Sequence, residues 1–178
     1  METLRGSIKS YAFEYLGQEE VRGNMGFKDP EFDKKMTSVG MVDGYAWCCL
    51  FTELCWVEAY TEFAPEMLPL LKEEFSAGTV RTFRHFKKLD WTSKVPEEGD
   101  IVIWQTYRKG KAQSTGHAAI VMEVNGRSIK TIEGNTNDIG GREGYTVATK
   151  NRSINFTNDN GLRMLGFIKP KVLDQGKI

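Results

Sequence analysis

The chain has 178 residues, enough for one domain with a substantial core and too few for two comfortable ones. Apolar residues make up 40% and charged residues 27%, which excludes a disordered or fibrous chain. The 24 Lys and Arg balance 24 Asp and Glu, so no long-range pull toward nucleic acid or an anionic membrane is expected, and neither is expected as a partner.

From the N-terminus, apolar residues at 4, 8, 12 and 16 recur with helical period, and Gly17 reads as the stop. The opening residues carry charge and lack the apolar stretch of a secretory signal. No run of about 18 apolar residues exists to span a membrane. The expectation is synthesis in the cytoplasm without a signal peptide, and delivery by other means if the protein works elsewhere. "GNMGFKDP" reads as a loop, and Asp29 then caps a second helix from Pro30 to about Thr37. A third helix runs from near Trp47 to about Phe63, and residues 65–89 form one or two short helices. The pattern then changes to strands: "GDIVIWQ", then "GHAAIVMEV" and "RSIKTIEGN" joined by a hairpin at Asn125-Gly126, then "REGYTVATKNRS" and "LRMLGFIKP". Helices first and antiparallel strands second predict an α+β fold, with the N-terminal helices packed on a C-terminal sheet. One domain is expected over residues 1–170, followed by a flexible tail over 171–178.

All three cysteines lie in "DGYAWCCLFTELCWVEAY", residues 43–60. Cys48 and Cys49 are adjacent, which disfavours a disulfide between them, and no zinc-type spacing with the two histidines exists. On a helix, Cys48, Thr52, Cys55 and Ala59 make a stripe of small residues that a sheet can approach closely. Cys48 begins that stripe in the first turn, where free amides and the helix dipole favour a thiolate. Cys49 points about 100° away. Cysteine is often only a small buried hydrophobe, and Cys55 reads that way. For Cys48 the alternative is a nucleophile.

The partners for such a nucleophile are present. His117, in "TGHAAIV", stands where a glycine loop enters an apolar strand; it is either a satisfied core residue or a positioned base. With Asn125-Gly126 as the turn, His117 falls opposite about Gly134. That puts it within one residue of both Glu133 and Asn135, and either can hold the imidazole in a productive tautomer.

"AWCCLF", "GDIVIW", "GHAAIV" and "IEGNTND", in this order and spacing, resemble the CHAP family (cysteine, histidine-dependent amidohydrolase/peptidase) of the papain-like, NlpC-type cell-wall hydrolases. The resemblance spans roughly residues 10–169, and "LGQEEVRGNMGF" looks like the lead-in of phage-encoded members. It implies a papain-like fold with Cys48 as nucleophile and His117 as base, and with Glu133 ahead of Asn135 as the residue orienting His117. It also implies an amidase or endopeptidase that cleaves peptidoglycan through a thioacyl intermediate. Trp47 and Arg142 are candidate substrate contacts. No cofactor is expected, and no metal, because Asp43 alone does not reproduce the acidic calcium loop of one subgroup. Cys49 stands where a small residue such as Ala is more usual. The implied setting is a phage lysin released by a holin or carried in a virion, or a secreted toxin with an immunity protein. A catalytically idle wall-binding domain and an amidohydrolase with a non-wall substrate are the competing readings.

Overall fold

The longest helix, α3 (Cys48–Phe63), is apolar on almost every side. Leu50, Phe51, Leu54, Cys55, Trp56, Ala59 and Tyr60 are all buried. A helix of this kind has to lie between layers, and α3 does. It packs against α1 (Leu4–Glu14), α2 (Pro30–Ser38) and α4 (Leu68–Glu74) on one side and the sheet on the other. A computed structural model describes residues 3–137 and 144–172 of the chain. Residues 173–178, most of the expected tail, and Arg142 lie outside the described residues.

Local chemistry sets the helix ends. Asp29 caps α2 as expected, accepting from the N–H groups of Glu31 (2.8 Å) and Phe32 (3.2 Å), with Pro30 in the first helical position. Thr3 does the same for α1 through the Gly6 N–H. A fifth helix, α5 (Thr79–Lys88), completes the helical layer.

The strands form one antiparallel sheet in the order β1-β6-β2-β3-β4-β5. They are β1 (Thr92–Ser93), β2 (Ile101–Arg108), β3 (Lys111–Asn125), β4 (Ser128–Thr136), β5 (Thr146–Ser153) and β6 (Gly161–Ile168). The arrangement is α+β and consistent with a papain-like fold. Alternation along the strands sorts the residues by face. Ile101, Ile103, Ala118, Ile120 and Ile132 join the helical core. Val102, Trp104, Ala119, Val121 and Phe167 form a smaller cluster on the opposite face. Asp100, fully buried, takes Arg5 from α1 (2.7 Å) and Lys169 from just beyond β6 (3.4 Å), and so links the first helix to the last strand.

The hairpin differs from the expected register. Asn125 pairs with Ser128, so the turn residues are Gly126 and Arg127. Gly126 alone of these takes a positive φ, +60°, as in a hairpin turn with glycine in the first central position. A bulge at Met122 shifts the register again before Val121 faces Thr131.

Gly134 lets the sheet come close against the start of α3. A Cβ there would lie 2.6 Å from the Trp47 ring and 2.7 Å from Phe51 Cβ. We expect Gly134→Ala to lower stability by about 1–3 kcal/mol through overpacking, read as a fall of several degrees in the thermal unfolding midpoint.

Candidate functional site

The N-terminus of α3 meets the sheet where β3 and β4 lie side by side. Cys48 is the first residue of the helix, and its side chain is 5% exposed. Its sulfur takes hydrogen bonds from the His117 ring and from the backbone N–H groups of Ala118 and Cys49. Burial opposes a charge on this sulfur, but the nearby imidazolium and these donors outweigh it and hold the thiol below its usual range.

His117 sits on β3 opposite Trp104 of β2. Its Nε2 lies 2.8 Å from Glu133 Oε2. That leaves Nδ1 as the ring nitrogen for Cys48. Burial alone would lower the basicity of the ring. The charge and hydrogen bond of Cys48, then those of Glu133, reverse this and push its pKa up to about 10. Each partner thus favours the charged form of the other.

Glu133 is fully buried, and each of its oxygens is engaged. Oε1 accepts from Thr131 Oγ1 (2.8 Å) and Arg152 Nε (2.8 Å), and Oε2 accepts from Arg152 NH2 (2.6 Å) as well as His117. Burial works against the charge of Glu133. The Arg152 and His117 hydrogen bonds overcome it and hold the carboxyl well below the usual carboxylate range. The Trp104 ring stacks on His117 (centroids 5.9 Å, 28°), and the Arg152 guanidinium lies over the other ring system of this group, Trp104, at 5.6 Å. Motif and spacing in the sequence point to none of Thr131, Trp104 and Arg152. Arg152 is the hardest to foresee, since it stands opposite Ile129 and reaches Glu133 along the sheet.

Asn135 is near but holds something else. With its amide oriented to satisfy both neighbours, its nitrogen donates to the Gly144 carbonyl (2.7 Å) and its oxygen accepts from the Trp47 N–H (3.2 Å). It takes a left-handed conformation, φ 53°. It thus fastens the end of β4 to the residue before Cys48, while the imidazole partner is Glu133. Trp47, expected as a substrate contact, is fully buried. Its indole N–H donates to Glu20 Oε2 (2.7 Å), and its ring packs edge-on against Phe27 (4.8 Å). In this position the side chain serves packing.

A cleft of about 620 Å³ opens beside His117, lined also by Asn135, Arg152, Tyr107, Gly144 and Leu162. That volume suits a small-molecule or peptide ligand. Among the described residues no three His, Cys, Asp or Glu side chains converge as metal ligands would.

The other two thiols are set apart. Cys49 packs against Thr82 Oγ1 (3.5 Å), and burial pushes its thiol up; burial does the same to Cys55. In the native protein near pH 7, iodoacetamide should therefore label Cys48 and spare Cys49 and Cys55, as peptide mass mapping would reveal. His117→Ala should slow that labelling by about tenfold or more, because the thiolate loses its counter-charge.

A family model described as the CHAP domain matches residues 40–135, a span that contains Cys48, His117, Glu133 and Asn135. No curated protein and no solved structure matches the chain. With more than half of its length matched, the chain belongs to the CHAP family of peptidoglycan hydrolases.

Proposed function

We propose that this protein is a cysteine-dependent amide hydrolase of peptidoglycan, with Cys48 as nucleophile, His117 as general base and acid, and Glu133 as the residue orienting His117. The observation that carries the reading is the buried line from the Cys48 thiol through His117 to Glu133, with its 2.8 Å imidazole–carboxylate contact. Residues 1–170 act in this reading as one catalytic domain.

The chemistry follows from the geometry. The Cys48 thiolate attacks an amide carbonyl, and the proton it has given up rides on His117 Nδ1. The backbone N–H of Cys48, at the open end of the helix, faces the developing oxyanion and stabilises it. His117 then protonates the leaving amine, and water clears the thioacyl enzyme with His117 again taking a proton. Glu133 keeps Nε2–H engaged throughout, so Nδ1 always meets the sulfur. Arg152 and Thr131 keep Glu133 ionised and fixed while it does so. The amide is either the muramoyl–alanine bond or one within the peptide stem or cross-bridge.

The test is turbidity loss and amine release from purified peptidoglycan, with product masses. Cys48→Ala and His117→Ala should abolish both signals, whereas Cys49→Ala should keep them. Retention of hydrolysis by Cys48→Ala would overturn the assignment. Glu133→Gln should lower kcat by roughly 10²–10⁴-fold, the range for a misoriented base.

The pH profile of kcat/KM should be bell-shaped. Activity falls on the acid side as the Cys48 thiolate gains a proton. It falls on the alkaline side as His117, whose pKa lies at about 10, loses the proton that the leaving amine needs. Because Glu133 contributes to that raised value, Glu133→Gln should move the alkaline limb to lower pH in the residual activity.

A further inference from the structure

A second cavity, about 520 Å³, lies against α3 on the side away from the Cys48 thiol. Helical geometry sets this apart from the first cleft: Glu53 and Val57 follow Cys48 by five and nine residues, which turns them roughly 140–180° around the axis. Leu50, Val57, Leu68 and Phe75 supply apolar wall. Glu53 borders the same space.

Glu53 is the feature that asks for an explanation. It is 7% exposed, and no hydrogen bond or ion pair to it exists among the described residues. The contrast with Glu133 is direct: one carboxylate has four close donors, and the other, which borders the cavity, has none. Buried polar groups in proteins are paired in the great majority of cases. An ionised carboxylate without a partner is costly enough that a neutral side chain of the same size would be the better core residue. Burial alone pushes the Glu53 carboxyl up to about 8. Lys72 of α4 lines the cavity without forming an ion pair to it, and Tyr45, before α3, is the other titratable group on the wall. Cys49, one turn back on α3, stays a neutral thiol beside it.

We propose that this cavity is a binding site for an aliphatic ammonium, with the charged nitrogen on the Glu53 carboxylate and the hydrocarbon stem against Leu50, Val57 and Phe75. Charge complementarity selects the cation, and the apolar wall selects an alkyl stem over a hydrated inorganic ion. The site is separate from the hydrolase reading and does not require it.

The test is a titration of the full-length protein with n-pentylammonium, followed by calorimetry and by NMR of the Leu50, Val57 and Phe75 side chains. Pentanol and pentanoate serve as isosteric controls. The expected result is saturable binding of the ammonium, weaker by about tenfold or more for pentanol and pentanoate and for the Glu53→Gln protein. Glu53→Gln removes the charge at constant shape, and its thermal unfolding midpoint verifies that it is folded. Val57→Trp, which fills the cavity and leaves Glu53 in place, should abolish binding as well. Affinity in the native protein should rise from pH 6 to pH 9 as Glu53 ionises, and this rise should vanish in Glu53→Gln. Absence of binding at millimolar ammonium, equal binding of pentanol, or unchanged affinity in Glu53→Gln would each overturn the proposal.

Discussion

A carboxylate with no access to water organises this molecule. Taking Glu133 into the interior costs several kcal/mol unless its lone pairs are met and its charge is balanced. Arg152 meets it side-on with two nitrogens, Thr131 adds a hydroxyl, and His117 completes the set. These donors come from β3, β4 and β5, so three neighbouring strands must hold their mutual register for one anion to be tolerated. The same anion then gives the imidazole its orientation and, after Cys48, adds to its basicity. Stability and chemistry meet in a single side chain, and neither can be adjusted there alone.

The rest of the site is an exercise in bringing a helix end to that anion. α3 is buried on nearly all sides, so its position is governed by packing. Gly134 lets Trp47 and Phe51 come against β4, and Asn135 fastens the strand to the Trp47 N–H. Trp47 is itself fixed by Glu20 and Phe27 from the segment between α1 and α2. The residues flanking Glu133 in sequence thus locate Cys48, while Glu133 locates His117. The short stretch "EGN" serves both halves of the pair.

What was readable in the sequence was local. The helix start at Cys48, the hairpin joining β3 to β4, and the polar residues two apart on β4 each sit within a few residues of a turn or cap signal. Their proximity could be argued even with the hairpin register off, because both Glu133 and Asn135 lay within a residue of the expected partner. Arg152 could not be found this way. It depends on the β4–β5 register, and the connection between those strands, residues 137–145, is too long for a two-residue turn to fix that register. The burial of Trp47 was hidden for a related reason: it rests on Glu20, distant in sequence, accepting its indole N–H. The strand order was equally hidden, since alternation reports which face a residue takes and not which neighbour its strand will have.

That strand order has a consequence for how the molecule is made. β6, the last strand in the chain, lies between β1 and β2, pairing with both. Until residues 161–168 emerge during synthesis, β2 has one bare edge and the sheet has a gap, although the β3–β4 hairpin bearing His117 and Glu133 can already close. Such long-range closure slows folding and leaves an unpaired edge exposed in the meantime. A chain lacking residues 161–168 would carry Cys48, His117 and Glu133 without the frame that holds them together.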